Sequence, residues 1–159
     1  MKKSPIIVVS LLLLLVFFGS SSSGVGTEAR IGLQAPNFAV SNGEVTAQLQ
    51  NCRGRYVVVT FWSSVDPESR MANIAHDRVA AGNARLAHIA VNYDSSEGVY
   101  RELVKLDSLD GDTQFYGNTI QGRALLAAWH QETGYSSFLI DPQGRIVAKN
   151  PTEAMLKRI

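Results

Sequence analysis

Tyr56-Val57-Val58-Val59-Thr60-Phe61-Trp62-Ser63-Ser64-Val65-Asp66-Pro67-Glu68-Ser69 is the stretch whose reading decides the fold. Its first seven residues are mostly β-branched or aromatic and apolar on both faces. Such a run suits a central strand covered on each side by other elements. After the polar break at Ser63-Ser64 comes a helix start. Asp66 can act as N-cap, Pro67 sits well at the first helical position, and Glu68 favours the first turn. Met71, Ile74, Ala75 and Val79 then recur at helical spacing, and Gly82-Asn83 closes the segment. A buried strand that runs into a capped helix is an α/β signal.

Working outward, Leu86–Asn92 reads as a second buried strand and Glu97–Leu106 as a helix with Val99, Tyr100, Leu103 and Leu106 on one stripe. Residues 113–116 make a short strand. Residues 121–131 make a helix carrying Leu125, Leu126 and Trp129, stopped near Gly134. Strands at 136–140 and 145–149 flank Asp141-Pro142-Gln143-Gly144, a strong turn signal and so a hairpin, and 152–158 closes the chain as a short helix. Upstream, 35–40 reads as an edge strand and Ser41-Asn42-Gly43 as a turn. The predicted order is β-β-α-β-α-β-α-β-β-α: a central mixed β-sheet with helices on both faces.

The N-terminus stands apart from this pattern. Lys2 and Lys3 precede an apolar run from Ile6 to Phe18, and Gly19 to Gly24 is rich in small residues. That is the layout of a secretory signal peptide, with an uncleaved anchor as the alternative. Residues 1–24 are therefore expected to be a leader or anchor and 25–159 a single domain outside the cytoplasm, periplasmic or secreted. Membrane contact is expected only through that leader. Removing Lys2 and Lys3 from the 15 basic residues leaves them one short of the 14 acidic ones. With no Lys/Arg cluster, no nucleic-acid footprint is expected. A composition of 45% hydrophobic and 18% charged residues excludes a disordered or fibrous chain.

Three local sequences, in this order of elements, resemble the thioredoxin-like superfamily, and within it the extracytoplasmic thiol–disulfide interchange proteins of the TlpA and AhpC/TSA type. Ile31-Gly32-Leu33-Gln34-Ala35-Pro36-Asn37-Phe38 is similar to that branch's opening Gly-x-x-Ala-Pro-x-Phe. The stretch from Arg53 to Ser64 is similar to its strand leading into the redox site. Phe138-Leu139-Ile140-Asp141-Pro142-Gln143-Gly144-Arg145-Ile146 is similar to its closing hairpin. The resemblance implies a thioredoxin-like fold over the whole domain and a redox site at the tip of the helix that begins near Pro67.

Set against that pattern, the chemistry has been removed. Where the family places Cys-x-x-Cys, this chain has Asp66-Pro67-Glu68-Ser69, and where it places a cis-proline facing the dithiol, this chain has Tyr135. A cis bond is strongly disfavoured without proline, so a trans bond is expected there. The only cysteine, Cys52, can form no disulfide within the chain. Dithiol exchange, which needs a thiolate and a second resolving thiol, is not expected.

Asp66 reads first as a helix cap. The sharper reading makes Asp66, Glu68 and Ser69, beside Tyr135 and Ser136, a polar ligand or metal site. Trp62, Val65 and Tyr135 instead line an apolar groove for an extracytoplasmic peptide or protein, with the Tyr135 backbone open to strand addition; with Pro67 at the helix start, these residues form the candidate binding surface. Cys52 reads as a small buried hydrophobe, and residual single-cysteine activity is the alternative function. His76, His88 and His130 have no metal-ligand spacing. His88 is expected in the core, and His76 and His130 in solvent. Neither a metal nor a cofactor is expected.

Overall fold

The computed structural model describes residues 29–131 and 133–159, so the expected leader lies outside them. The elements run β1 (Ala39–Ser41), β2 (Thr46–Gln48), a 3-10 turn (Leu49–Cys52), β3 (Tyr56–Trp62), α1 (Pro67–Ala81), β4 (Leu86–Asn92) and α2 (Glu97–Leu106). After a second 3-10 turn (Gly111–Thr113) come β5 (Gln114–Tyr116), α3 (Ile120–Ala128), β6 (Ser137–Ile140), β7 (Ile146–Lys149) and α4 (Glu153–Leu156). Five strands form one sheet in the order β5-β4-β3-β6-β7, and β1 and β2 pair separately. β3 is parallel to β4, β4 to β5, and β6 runs antiparallel to both β3 and β7.

Strand alternation divides the core. Val57, Val59 and Phe61 point to the face covered by α3, where they meet Ile89, Val91, Leu125, Trp129 and Phe138. On the opposite face Val58 packs with Val79, Leu139 and Leu156. Further along that face, Trp62 packs with Ala90 and Tyr100 under α2. Helices therefore cover both faces of a mixed sheet, as the sequence pattern predicts.

Several local expectations are corrected. The predicted edge strand at 35–40 starts later, at Ala39, because Ala35 N–H donates to Gly144 O at 2.9 Å and ties that segment to the closing hairpin. β2 has no counterpart in the sequence reading. It is a three-residue strand folded onto β1 by the turn at 41–45, where the Asn42 side-chain oxygen accepts from Glu44 N and Val45 N. α3 ends at Ala128 and not at residue 131, because His130 takes a left-handed φ of 52° and stops the helix.

Two predicted apolar stripes are also shifted. Met71 on α1 is 63% exposed and Leu106 on α2 is 73% exposed. The buried face of α1 is largely polar and includes Asn73, His76 and Asp77 beside Ile74 and Val79. His76 thus lies in the core, against expectation. His88 is buried as expected, and His130 is exposed.

Candidate functional site

β3 delivers the chain to the sheet's C-terminal edge, and Ser63 and Ser64 turn it into α1. Asp66 has extended backbone and caps the helix: Ser69 N donates to Asp66 Oδ1 at 3.3 Å. Ser69 Oγ donates to Asp66 O at 3.0 Å and accepts from Ser63 N at 3.2 Å. Both residues at the family's cysteine positions are therefore spent on holding the helix tip. Ser69 is buried, and its hydroxyl bonds only backbone atoms of Asp66 and Ser63 among the described residues.

A residue that sequence reasoning missed organises this tip. Asp94, buried just beyond β4, accepts at Oδ1 from Ser63 Oγ at 2.6 Å, Ser64 N at 2.7 Å and Ser64 Oγ at 3.0 Å. Its Oδ2 accepts from Asn92 Nδ2 at 3.1 Å, and its backbone oxygen accepts from Tyr116 Oη and Asn118 Nδ2. Burial works to raise its pKa, but the hydrogen bonds from Ser63, Ser64 and Asn92 outweigh it and hold the carboxyl below its ordinary range. One signal was present: an acidic residue two places past a doubly buried strand, at the sheet edge where α/β folds build their sites.

Tyr135 follows an ordinary trans peptide; no peptide bond among the described residues is cis. Its ring stacks on Tyr93 with centroids 6.0 Å apart and planes 15° from parallel. Burial pushes the Tyr135 hydroxyl up, Ser63 opposes this, and the carboxylates of Asp94 and Asp66 add to it. No described residue takes the Tyr135 backbone N–H or C=O in a backbone hydrogen bond, whereas the Ser136 carbonyl accepts from Phe61 N at 3.2 Å.

A cleft of about 240 Å³ brings together Glu68, Ser69, Tyr135 and Ser136, with Phe61 and Pro151 among its other walls. Asp66 and Pro67 form the helix tip beside it, and Val65 there is 85% exposed. Trp62 does not belong to this surface. Its side chain is fully buried beneath α2, because even-numbered positions on β3 face the side of the sheet covered by α1 and α2, and Trp62 is the one nearest α2. A larger hollow of about 500 Å³ lies away from the tip, between the turn at 41–44 and α2, and its rim carries charges of both signs.

Cys52 sits at the other end of β3. Seven strand residues separate the two ends by about 20 Å. The thiol is half-buried and lies 3.7 Å from Gln48 O. Burial pushes it up, and the neighbouring Arg55 only partly offsets that. Among the described residues no three His, Cys, Asp or Glu side chains are placed to hold a metal ion.

No protein-family model matches the chain, and no curated protein matches it. Solved structures do. A thioredoxin-like protein from Parabacteroides distasonis is 30% identical, with 83% of this chain and 96% of that one covered and a TM-score of 0.69. The thioredoxin domain of a thiol-disulfide oxidoreductase from Bacteroides vulgatus is 19% identical, with 81% and 94% covered and a TM-score of 0.68. A thiol:disulfide interchange protein from a Bacteroides species is 20% identical, with 81% and 86% covered and a TM-score of 0.68. At that lower identity the last two speak for the fold alone.

Proposed function

This chain belongs to the thioredoxin-like superfamily, and we propose that it works there without redox chemistry, as an extracytoplasmic module that holds an extended peptide or partner protein at the tip of α1. One observation carries the reading: the two positions that would bear the dithiol are occupied by a carboxylate and a hydroxyl, each engaged in the local hydrogen bonds of the helix start. A carboxylate keeps negative charge at the helix N-terminus, as a thiolate would, but forms no mixed disulfide. What remains is a cleft where the Tyr135 backbone makes no backbone hydrogen bond with any described residue, with its aromatic ring alongside and an exposed apolar side chain at Val65. Strand addition needs only such an edge, with neighbouring pockets to read the side chains. The leader-like residues 1–24 support an extracytoplasmic location.

The redox part is tested by insulin reduction with dithiothreitol as electron donor. The chain leaves the rate at background, and turnover above background refutes inertness. The binding part is tested by amide chemical-shift mapping with a carboxymethylated, unfolded protein as a source of extended chain. Shifts are expected at 134–136 and at the start of α1. A titration without shifts there leaves a purely structural role as the better account.

The rival reading, single-cysteine activity at Cys52, has the adjacent Arg55 in its favour. Thiol alkylation of the folded protein separates the two: labelling as fast as that of a small free thiol supports the rival.

A further inference from the structure

The cleft at the α1 tip is bordered by negative charge without positive charge to balance it. Of the residues that wall it, Glu68 alone carries a carboxylate, and none carries an ammonium, guanidinium or imidazole. Asp66 stands two residues before Glu68, at the helix cap. The carboxylates of Asp94 and Asp66 both act on the Tyr135 hydroxyl, so their field reaches the opposite wall.

The three acids differ in what they have left to offer. Asp94 is buried, and both of its oxygens accept from Ser63, Ser64 and Asn92. Asp66 spends Oδ1 on the Ser69 N–H, while its Oδ2 accepts from no described residue. Glu68 is exposed, and its carboxylate makes neither a hydrogen bond nor an ion pair with any described residue. Two surface carboxylates at the cleft mouth thus keep acceptor oxygens open.

The cations close to them in sequence are engaged elsewhere. Arg70 gives Nε and Nη2 to the Asp107 carboxylate at 2.8 and 2.7 Å, which turns it toward α2. The Lys149 ammonium lies 5.9 Å from the centroid of the Phe138 ring, on the α3 side of the sheet. His76, whose Nε2 is 3.3 Å from Pro151 O, is pushed down to about 4 by burial and by His88, so it adds no charge at neutral pH. The N-terminus of α1 contributes about half a positive charge, against two full negative ones at the mouth.

We propose that the extended segment held in this cleft is basic, with its backbone paired at Tyr135 and a Lys or Arg side chain set against the Asp66 and Glu68 carboxylates. The proposal rests on the peptide-holding role given above and names the chemistry of the peptide. Complementary charge selects partners and speeds their encounter, and a like-charged segment is turned away. Alternate side chains of an added strand recur on one face about every 7 Å. One basic side chain can therefore meet the α1 tip while the backbone beside it pairs with residue 135. Each exposed charge pair contributes modestly, so the two carboxylates together set a preference of about fivefold.

The test is amide chemical-shift titration of the full chain with three six-residue peptides, acetylated and amidated, in which Val alternates with Lys, Gln or Glu. The Val/Lys peptide is expected to shift residues 65–69 and 134–136 and to bind about fivefold tighter than Val/Gln, with Val/Glu the weakest. The preference is expected to shrink in about 0.5 M sodium chloride. Equal binding of all three peptides at those residues overturns the basic preference and leaves the peptide-holding role standing. Absence of shifts with every peptide overturns both. Asp66→Asn with Glu68→Gln removes the two charges while Asn still caps the helix. That variant is expected to bind the Val/Lys and Val/Gln peptides equally, and an undiminished preference for lysine overturns the assignment to these carboxylates. Where the variant does not fold, the three wild-type titrations decide alone.

Discussion

Asp94 holds the helix tip through a single oxygen that accepts from two hydroxyls and one backbone N–H. Replacing it with Ala strands those donors in a buried place, and leaving such groups unmade costs more than the net worth of each bond. Asp94→Ala is expected to lower stability in a urea melt by about 3 kcal/mol, and Asp94→Asn, which keeps an acceptor but loses the charge, by about half as much. Asp66→Ala removes only the cap and is expected to cost about 1 kcal/mol. The sign of the acid dependence follows from the lowered pKa of Asp94. Its contribution is complete above the ordinary carboxylate value and is lost as pH falls through the folded-state value. Asp66 was legible because a cap, a proline and an acidic residue at consecutive positions carry a local signal. Asp94 was not, because the donors that tie it to the helix tip, Ser63 and Ser64, lie 31 and 30 residues away and nothing local in the sequence pairs them with it. Trp62 was misread for a related reason. The motif locates the residue on its strand, but only the parity of the strand says which helix covers it.

The helices were legible to the extent that their signals were local. α1 begins at the expected residue because Asp66 and Pro67 set its start, whereas its buried face was misjudged because three polar side chains there are satisfied by other elements. Asn73 pairs with Gln114 from β5, His76 bonds the Thr60 hydroxyl and the Pro151 carbonyl, and Asp77 accepts from Asp110 N and Thr113 Oγ1. This packing gives α1 a pH dependence of its own. The neutral form of His76 is favoured in the folded state, with a pKa of about 4 against about 6.5 unfolded. The unfolded chain therefore binds the extra proton between these values. Stability is complete above about pH 6.5 and falls on acidification toward pH 4, by at most about 3 kcal/mol. Urea midpoints measured across that range should show the slope in the wild type and lose most of it in His76→Gln; an unchanged slope would place its origin elsewhere. A second element depends on close approach. A Cβ at Gly122 on α3 would lie 1.9 Å from the backbone oxygen of Gly117. Because backbone cannot yield as a side chain end does, Gly122→Ala is expected to cost about 2 kcal/mol or more in the same melt. No periodicity announces such a contact.

At the scale of the whole molecule the redox question is one of position. The lone thiol and the helix tip sit at opposite ends of the central strand, about 20 Å apart by strand rise, so Cys52 does not lie at the position where the resemblance places the dithiol. Its burial also holds the thiol up, away from the thiolate that attack requires. The scaffold around the tip is nevertheless complete. α1 still presents its N-terminal N–H groups to residue 66, and residue 69 lies one turn along, facing back at Ser63. Installing sulfur at both positions therefore restores what the family's chemistry needs: a thiol beside a helix N-terminus, which lowers its pKa, and a second thiol within one turn to resolve the mixed disulfide. Asp66→Cys with Ser69→Cys is expected to raise insulin reduction clearly above the wild-type background. Asp66→Cys alone should form a mixed disulfide with a model substrate and then stall. Tyr135 remains in place of the proline that faces the dithiol in relatives, so adding Tyr135→Pro to the double variant should increase turnover further. If the double variant forms its disulfide yet reduces nothing, the missing function lies in the wall at Tyr135 as much as in the sulfur. If the wild type already turns over, the silence of the α1 tip is disproved by the same assay.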